Sequence, residues 1–368
     1  MNILQVIASG GLGGREMQPV KLAEMMREKG HNTYLLVRKG SLSIPLIKEK
    51  GLPYDELKMD GYLNFRSLIP LAKILKEKKI DVIHTHISRS LLFLHLARIL
   101  SKRKIKLIFT QRMGMNVKKD DIYHWFIFNR VDQIISVSEY VKARFLKAAP
   151  FLKDKIKVVY NGIGRKEEKV TFKEKKRFQK EFGLKKRTVK IGLVAQLNAG
   201  KGHMWTIRAA KLLKEKYKYE NFKIFFVGKG EWTDSIKDFA RTHDIASKVI
   251  FAGFRWDVDY FYRNFDIALI PSKSEAGGNV IIEAMAFGKP VICSDTGYFP
   301  EVIESGINGL MVRYDDTLSL TEAMYQLIKN ASWRKKLGKK ARETVQKKFL
   351  YDNTVKNYIR IYTETAGK

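Results

Sequence analysis

The feature that most constrains this chain is an alternation of short apolar runs with longer segments of helical period. In the first half the runs Ile3–Ile7, Thr33–Val37, Val82–Thr85, Leu107–Thr110, Gln133–Val137 and Val158–Tyr160 are interleaved with the helical stretches Met17–Arg27, Ser90–Leu100 and Tyr140–Lys147. Apolar runs read as strands buried on both faces, and an intervening helix lets the next strand lie parallel. The pattern predicts an α/β fold with a parallel sheet covered by helices on both sides.

The alternation breaks at Arg165–Lys190, which holds 12 basic and 4 acidic residues and no apolar periodicity beyond Phe172, Phe178 and Phe182. It restarts with strands expected at Lys190–Val194, Lys223–Val227, Val249–Ala252, Ile267–Ile270, Val291–Cys293 and Gly309–Val312, and helices at Met204–Tyr217 and Thr317–Lys329. Two helices are expected between Trp333 and Thr365. At 368 residues the chain is long enough for two domains. The expected division is two doubly wound, Rossmann-like domains over 1–164 and 165–345, with a last helix in 346–368 crossing back to the first. Ligands of such sheets sit beyond the carboxyl ends of the strands, so the expected site is an interdomain cleft.

The single cysteine, Cys293, excludes an intramolecular disulfide or a cysteine-based zinc cluster and suits a reducing compartment. Leu91–Leu100 is far short of the roughly 20 residues that span a bilayer. The opening Met1–Ile7 reads as a strand rather than a signal peptide, and a cytoplasmic protein is expected. The net charge of +32 is spread over both halves, with 31 basic against 14 acidic residues in 1–165. Nucleic acid, an anionic membrane face and a phosphorylated small molecule would all be attracted by it.

Glycine loops follow the first strand of each half. Ser9–Gly14 leads into a helix, where backbone N–H groups approach a phosphate or sugar, or where the chain merely turns tightly with Glu16 as a first-turn acid. Gln196–His203 places Lys201 between Gly200 and Gly202, either a cation for a diphosphate or a solvated lysine. Gly228–Glu231 is a similar turn at a strand end. The most informative stretch is Ser272–Pro290, with Glu275 on a loop, Gly277, Gly278 and Asn279 opening a helix, and Glu283 inside that otherwise apolar helix. A carboxylate in such a setting is costly unless paired or liganded. Sugar or ribose hydroxyls, or a buried base, would serve, while the free N–H groups at the helix start suit a diphosphate.

Glu275-x7-Glu283, within Pro-Ser-x-Ser-Glu-x-Gly-Gly-Asn-Val-x-x-Glu-Ala-Met-Ala-x-Gly-Lys-Pro-Val, resembles the signature of retaining glycosyltransferases of family 4, which have the GT-B fold. Gly13–Glu16, Asp81–His86, Val137–Glu139, Asn161–Ile163, Lys201–Gly202, Gly253–Arg255 and Gly306–Gly309 extend the resemblance over roughly residues 1–345. The resemblance implies transfer of a sugar from a nucleotide-diphosphate sugar, with retention and without an obligatory metal or other cofactor. By position, Glu283 would bind the ribose hydroxyls and Glu275 the donor sugar. Lys201 and the backbone at Gly277–Val280 would hold the diphosphate, with Gly13 and Gly14 closing from the first domain and Gln196 and Gly228 also on the donor side. Phe254 and Arg255 would lie near the base. Family members usually carry arginine where Gln196 stands and often histidine where Arg112 stands, so Arg112 would either restore the missing charge or face an anionic acceptor. His86 would line the acceptor side.

Asp257-Val-Asp259 matches a metal-binding D-x-D pattern, but its position after Gly253–Trp256 favours a helix-capping aspartate. His84-x-His86 lacks an evident third metal ligand, and Cys293 reads as core. The basic amphipathic segments Phe65–Lys79 and Ser90–Lys106, and Tyr123–Phe128 beside Lys118 and Lys119, suit an anionic membrane surface, although such helices commonly just cover a sheet. The expectation is therefore a peripheral enzyme on the inner face of the cytoplasmic membrane, acting on a glycolipid or cell-surface polysaccharide precursor of the lipopolysaccharide type. The alternatives are another GT-B enzyme, such as a sugar-nucleotide epimerase or a soluble-acceptor transferase. A nucleic-acid partner is not expected, since no helix-turn-helix, RRM or zinc-finger pattern is present.

Overall fold

The structure, a computed structural model, describes all residues except 12, 60–64, 115, 116, 168 and 368, and excludes the side chains of 14 and 15. The chain forms two compact units, Met1–Tyr160 with Asp352–Lys368, and Asn161–Tyr351.

The first unit runs β1 (Asn2–Ile7), α1 (Gly14–Glu28), β2 (Asn32–Arg38), α2 (Ile44–Glu49), β3 (Tyr54–Leu57), α3 (Phe65–Glu77), β4 (Val82–Thr85), α4 (Leu91–Leu100), β5 (Lys106–Gln111), α5 (Ile122–Asn129), β6 (Gln133–Ser136), α6 (Glu139–Ala148) and β7 (Ile156–Val158). Its seven strands are all parallel, in the order β3-β2-β1-β4-β5-β6-β7. The second unit runs α7 (Phe172–Glu181), β8 (Val189–Val194), α8 (His203–Tyr217), β9 (Phe222–Val227), α9 (Thr233–Thr242), β10 (Val249–Gly253), α10 (Val258–Asn264), β11 (Ile267–Ile270), α11 (Asn279–Ala286), β12 (Val291–Ser294), α12 (Phe299–Val302), β13 (Leu310–Val312), α13 (Thr317–Lys329) and α14 (Ala331–Lys348). Its six strands are also parallel, ordered β10-β9-β8-β11-β12-β13. The last helix, α15 (Tyr351–Ala366), belongs almost wholly to the first unit.

Both sheets are Rossmann-like and doubly wound, as the alternation of apolar runs requires. The central strands are apolar because both of their faces are covered: Ile3, Leu4, Val82, Ile83, Leu107 and Ile108 are wholly buried in one sheet, Ile191, Ile224 and Ile267 in the other. Cys293, on β12, is buried in the core, which pushes its thiol above the ordinary range.

Four elements depart from the sequence reading. The strand expected at Val158–Tyr160 forms two residues earlier, and β3 and α2 were not expected. β3 is an edge strand of only four residues, Tyr-Asp-Glu-Leu, so it carries no apolar run. The fourth is α7, inside the stretch read as a polar junction. Thr171 Oγ1 caps it by accepting the Glu174 N–H at 3.1 Å. Phe178 is wholly buried among Phe182, Phe225, Tyr260 and Phe261, with ring centroids 4.8–5.7 Å away. One well-placed aromatic thus docks a helix whose other residues are charged apart from Phe172 and Gln179. Phe178→Ala should cost about 3–5 kcal/mol, seen as a lower denaturant midpoint by circular dichroism, whereas the exposed Phe172→Ala should cost little.

Candidate functional site

In the second unit the loops at the carboxyl ends of β8, β11 and β12 are bound to one another. The β8 loop meets the β11 loop where Lys273 N–H donates to Gly200 C=O at 2.7 Å. Gly202 follows with φ of +81°, and a Cβ there would lie 2.2 Å from the Pro271 carbonyl oxygen, so the close approach requires glycine. This approach sets Lys201 beside Glu275, and its ammonium forms an ion pair with Glu275 Oε1. The Glu275 side chain is only 13% exposed, and Ser272 Oγ lies 3.4 Å from the same oxygen.

The backbone at Glu275 is itself clamped by the β12 loop. Tyr298 N–H donates to Glu275 C=O at 3.0 Å, and its hydroxyl donates to Gly278 C=O. Gly297, φ +64°, lies so close that a Cβ would come within 2.3 Å of the Glu275 carbonyl oxygen. Thr296 and Ser294 hydroxyls both donate to Ser272 C=O, at 2.8 and 2.6 Å, and Asn161 Nδ2 donates to Gly277 C=O at 2.8 Å. α11 then starts at Asn279 with extended Gly278 before it and no side chain capping its first turn. Asn279 Oδ1 is buried without a hydrogen-bond partner, and Val280 C=O accepts from Tyr262 OH at 3.3 Å. The resulting corner joins a cation, a carboxylate and uncapped helix N–H groups, which is an arrangement suited to an anion bearing hydroxyls.

Glu283 lies on α11. Burial holds its carboxyl above the ordinary range, with Lys166 opposing and Asp259 adding to the shift. Lys166 in turn donates to both oxygens of Asp259, at 2.9 and 2.8 Å. Asp257 occupies the N-cap position of α10 but does not cap it, because Arg255 takes both of its oxygens at 2.8 Å. The capping role expected of Asp257 is thus corrected, and the two aspartates of the D-x-D stretch face different cations. Arg255 also reaches Glu181 at 3.1 Å, and Phe254 is exposed beside Trp256. Gln196 Oε1 accepts from Asn198 Nδ2 at 3.2 Å, and Gly228 N–H donates to Gly253 C=O at 2.8 Å. No group of three or more His, Cys, Asp or Glu side chains among the described residues is arranged to hold a metal ion.

Of the sequence-predicted residues, the structure brings together Lys201, Glu275, Gly277, Gly278, Asn279 and Val280 on contacting loops. Sequence reasoning missed Gly297 and Tyr298, which hold that group in place. Their signal was a glycine just past the apolar run Val291–Cys293, the same signal read at the other strand ends.

In the first unit Gly13 N–H donates to Glu16 Oε2 at 2.8 Å, and Ser9 Oγ donates to the other oxygen, so the buried Glu16 closes its own helix start. Gly14 opens α1. Arg112 Nε donates to His86 Nδ1 at 3.2 Å just beyond β5.

Two parallel, doubly wound sheets with glycine turns at the strand ends define the GT-B class of glycosyltransferases. Two family profiles match in succession: Glycosyltransferase Family 4 over residues 12–166 and Glycosyl transferases group 1 over 172–344. The chain belongs to this family-4 type of glycosyltransferase. It is 30% identical over 234 residues to an uncharacterized glycosyltransferase of Methanocaldococcus jannaschii, covering 62% of this chain and 59% of that protein. It is 24% identical to the N-acetyl-alpha-D-glucosaminyl L-malate synthase of Bacillus anthracis, over 95% of this chain and 94% of that one. The fold is that of Anabaena HepE, solved in complex with UDP, with a TM-score of 0.87 at 18% identity over 99% of this chain and 100% of the other.

His203, the first residue of α8, is almost wholly buried against Phe226, and neither ring nitrogen has a hydrogen-bond partner. Burial, helped by the Lys201 charge, lowers it from 6.5 to about 4. The folded state therefore resists protonation that the unfolded chain accepts. Stability should be full above about pH 6.5 and fall by roughly 1.4 kcal/mol per unit from there toward pH 4. Comparing the melting point against pH for the native chain and His203→Leu checks this, because the variant should lose part of the slope.

Proposed function

We propose that this glycosyltransferase moves a sugar from a nucleotide-diphosphate donor, with retention at the anomeric carbon and without a required metal. The acceptor we assign is a glycolipid or cell-surface polysaccharide precursor of the lipopolysaccharide type. The observation that carries the donor half is the Lys201–Glu275 pair on loops that lead into the uncapped start of α11.

In this reading the diphosphate displaces Glu275 from Lys201 and takes N–H groups at Gly277–Val280. Glu275, released from the ammonium, receives the hydroxyls of the donor sugar, and Glu283 receives those of the ribose. Two donors on one carboxylate would offset the burial that now disfavours its charge. Negative charge developing on the departing diphosphate meets a fixed cation and oriented dipoles, so stabilisation is electrostatic. The acceptor hydroxyl attacks on the leaving-group face with the phosphate as base, and Arg112 faces the acceptor. The UDP bound by the Anabaena protein supports a nucleoside diphosphate as the ligand class.

A thermal-shift panel of UDP, GDP, ADP and CDP with their sugar conjugates, with and without EDTA, tests the donor half. A ligand at about 100 times its Kd adds roughly 2.7 kcal/mol, or about 2–4 °C for a chain this long. One nucleotide should stand out in EDTA and lose its effect in Glu283→Ala; a flat panel would remove the donor assignment.

The membrane half is supported by apolar side chains left in water in the first unit. α3 exposes Phe65 and Ile69, α4 ends in exposed Ile99 and Leu100, and α5 exposes Ile122 and Trp125. The three helices pack in series, and basic Lys102, Arg103, Lys118 and Lys119 border them. No helix of the described residues is long and apolar enough to cross a membrane. Flotation should recover the protein with anionic but not neutral liposomes, and Ile122→Asp with Trp125→Asp should abolish recovery. Binding indifferent to lipid charge would remove the membrane half. The product named for the Bacillus anthracis relative favours a second reading, a small soluble acid as acceptor. Under that reading liposomes capture nothing, while free carboxylic acids stimulate release of nucleoside diphosphate.

A further inference from the structure

A buried polar seam runs between the first sheet and α15. Gln5 comes from β1, His84 from β4, His86 from just beyond it and Thr110 from β5, while α15 supplies Tyr358 and Tyr362. All six are at most 6% exposed, so their polar atoms need partners within the protein. The partners fall into one directed chain. Arg112 only donates, and its Nε points at His86 Nδ1, 3.2 Å away, so that nitrogen carries no proton. The proton of the neutral ring sits on Nε2, 3.3 Å from the Gln5 amide oxygen. Gln5 Nε2 therefore faces the Tyr362 hydroxyl, to which it donates at 3.1 Å. Tyr362, having accepted, donates to His84 Nδ1, and His84 Nε2 donates to Thr110 Oγ1 at 2.7 Å.

Charge enforces the same order. The two imidazole rings lie 4.2 Å apart between centroids, and burial together with the Arg112 cation holds both histidines well below their ordinary range. Neither is a proton carrier near neutral pH, and both ring nitrogens of His86 are engaged by protein groups.

We propose that Tyr362 is a positioning residue that acts through Gln5 and His86 to fix the orientation of Arg112. The proposal rests on the reading of Arg112 as a substrate-facing cation. A tyrosine near the end of the chain thereby sets the geometry of an arginine in the first unit, and His86 transmits position rather than protons.

The test is nuclear magnetic resonance of the full, unliganded chain carrying 15N in histidine and arginine. Long-range proton–nitrogen correlations should show His84 and His86 each as the Nε2–H tautomer. Tyr362→Phe should give His86 a mixed tautomer and speed exchange of the Arg112 Nε–H by roughly tenfold, the scale of one lost hydrogen bond. Tyr358→Phe removes only a 3.5 Å contact to Thr110 and should leave both signals in place. Should Tyr362→Phe not fold, Gln5→Met interrupts the same chain and should give the same signature. An Nδ1–H tautomer at His86, unchanged signals in a folded Tyr362→Phe, or equal disturbance by Tyr358→Phe would overturn the proposal. The underlying reading fails by a different measurement, unchanged sugar transfer in Arg112→Ala, on which the resonance result does not depend.

Discussion

What the second unit offers a ligand depends on how the backbone at Glu275 is held. Its carbonyl is gripped by Tyr298 N–H, and Gly297 is pressed against it too closely for any side chain. Its carboxylate meets Lys201 only because Gly202 lets the neighbouring loop pass against Pro271. Without these approaches a loop carrying one lysine and one glutamate would be ordinary surface, where an ion pair contributes about 0–1 kcal/mol. Held as they are, both charges are brought to one corner before a ligand arrives, so that a diphosphate would need only to turn Lys201 away from Glu275.

The same logic separates what was legible in the sequence from what was not. Central strands announce themselves because a strand covered on both faces must be apolar over consecutive residues, and Ile3–Ile7 and Ile267–Ile270 show this directly. Glu283 stood out because a carboxylate amid Val-Ile-Ile and Ala-Met-Ala demands a reason. α7 was illegible as a helix from periodicity because a single buried ring, Phe178, anchors it among Phe182, Phe225, Tyr260 and Phe261. Its start was written all the same, in Thr171 followed three residues later by Glu174. Asp257 was misjudged because local propensity offered it to a helix end, while Arg255, two residues away, bound it in a bidentate pair.

Contacts between segments distant in sequence were not legible at all. Nothing around Tyr362 indicates that its hydroxyl meets His84 and Gln5, since the pairing arises only when α15 lies against the first sheet. His-x-His at a strand end invites a metal or a general base when read alone. With Arg112, Gln5, Tyr362 and Thr110 around it, the pair becomes a row of neutral rings whose hydrogen bonds run in one direction. The Lys201–Glu275 corner and this seam thus share a principle, in that each holds a charged side chain through neighbours contributed by other elements.

The most direct measurement is a crystal structure of the enzyme grown with the nucleoside diphosphate that stabilises it. The account predicts the diphosphate against the N–H groups of Gly277–Val280 with Lys201 turned onto it from Glu275, and the ribose hydroxyls on Glu283. A nucleotide bound elsewhere, or a diphosphate present while Lys201 stays on Glu275 and Glu283 touches no hydroxyl, would contradict it.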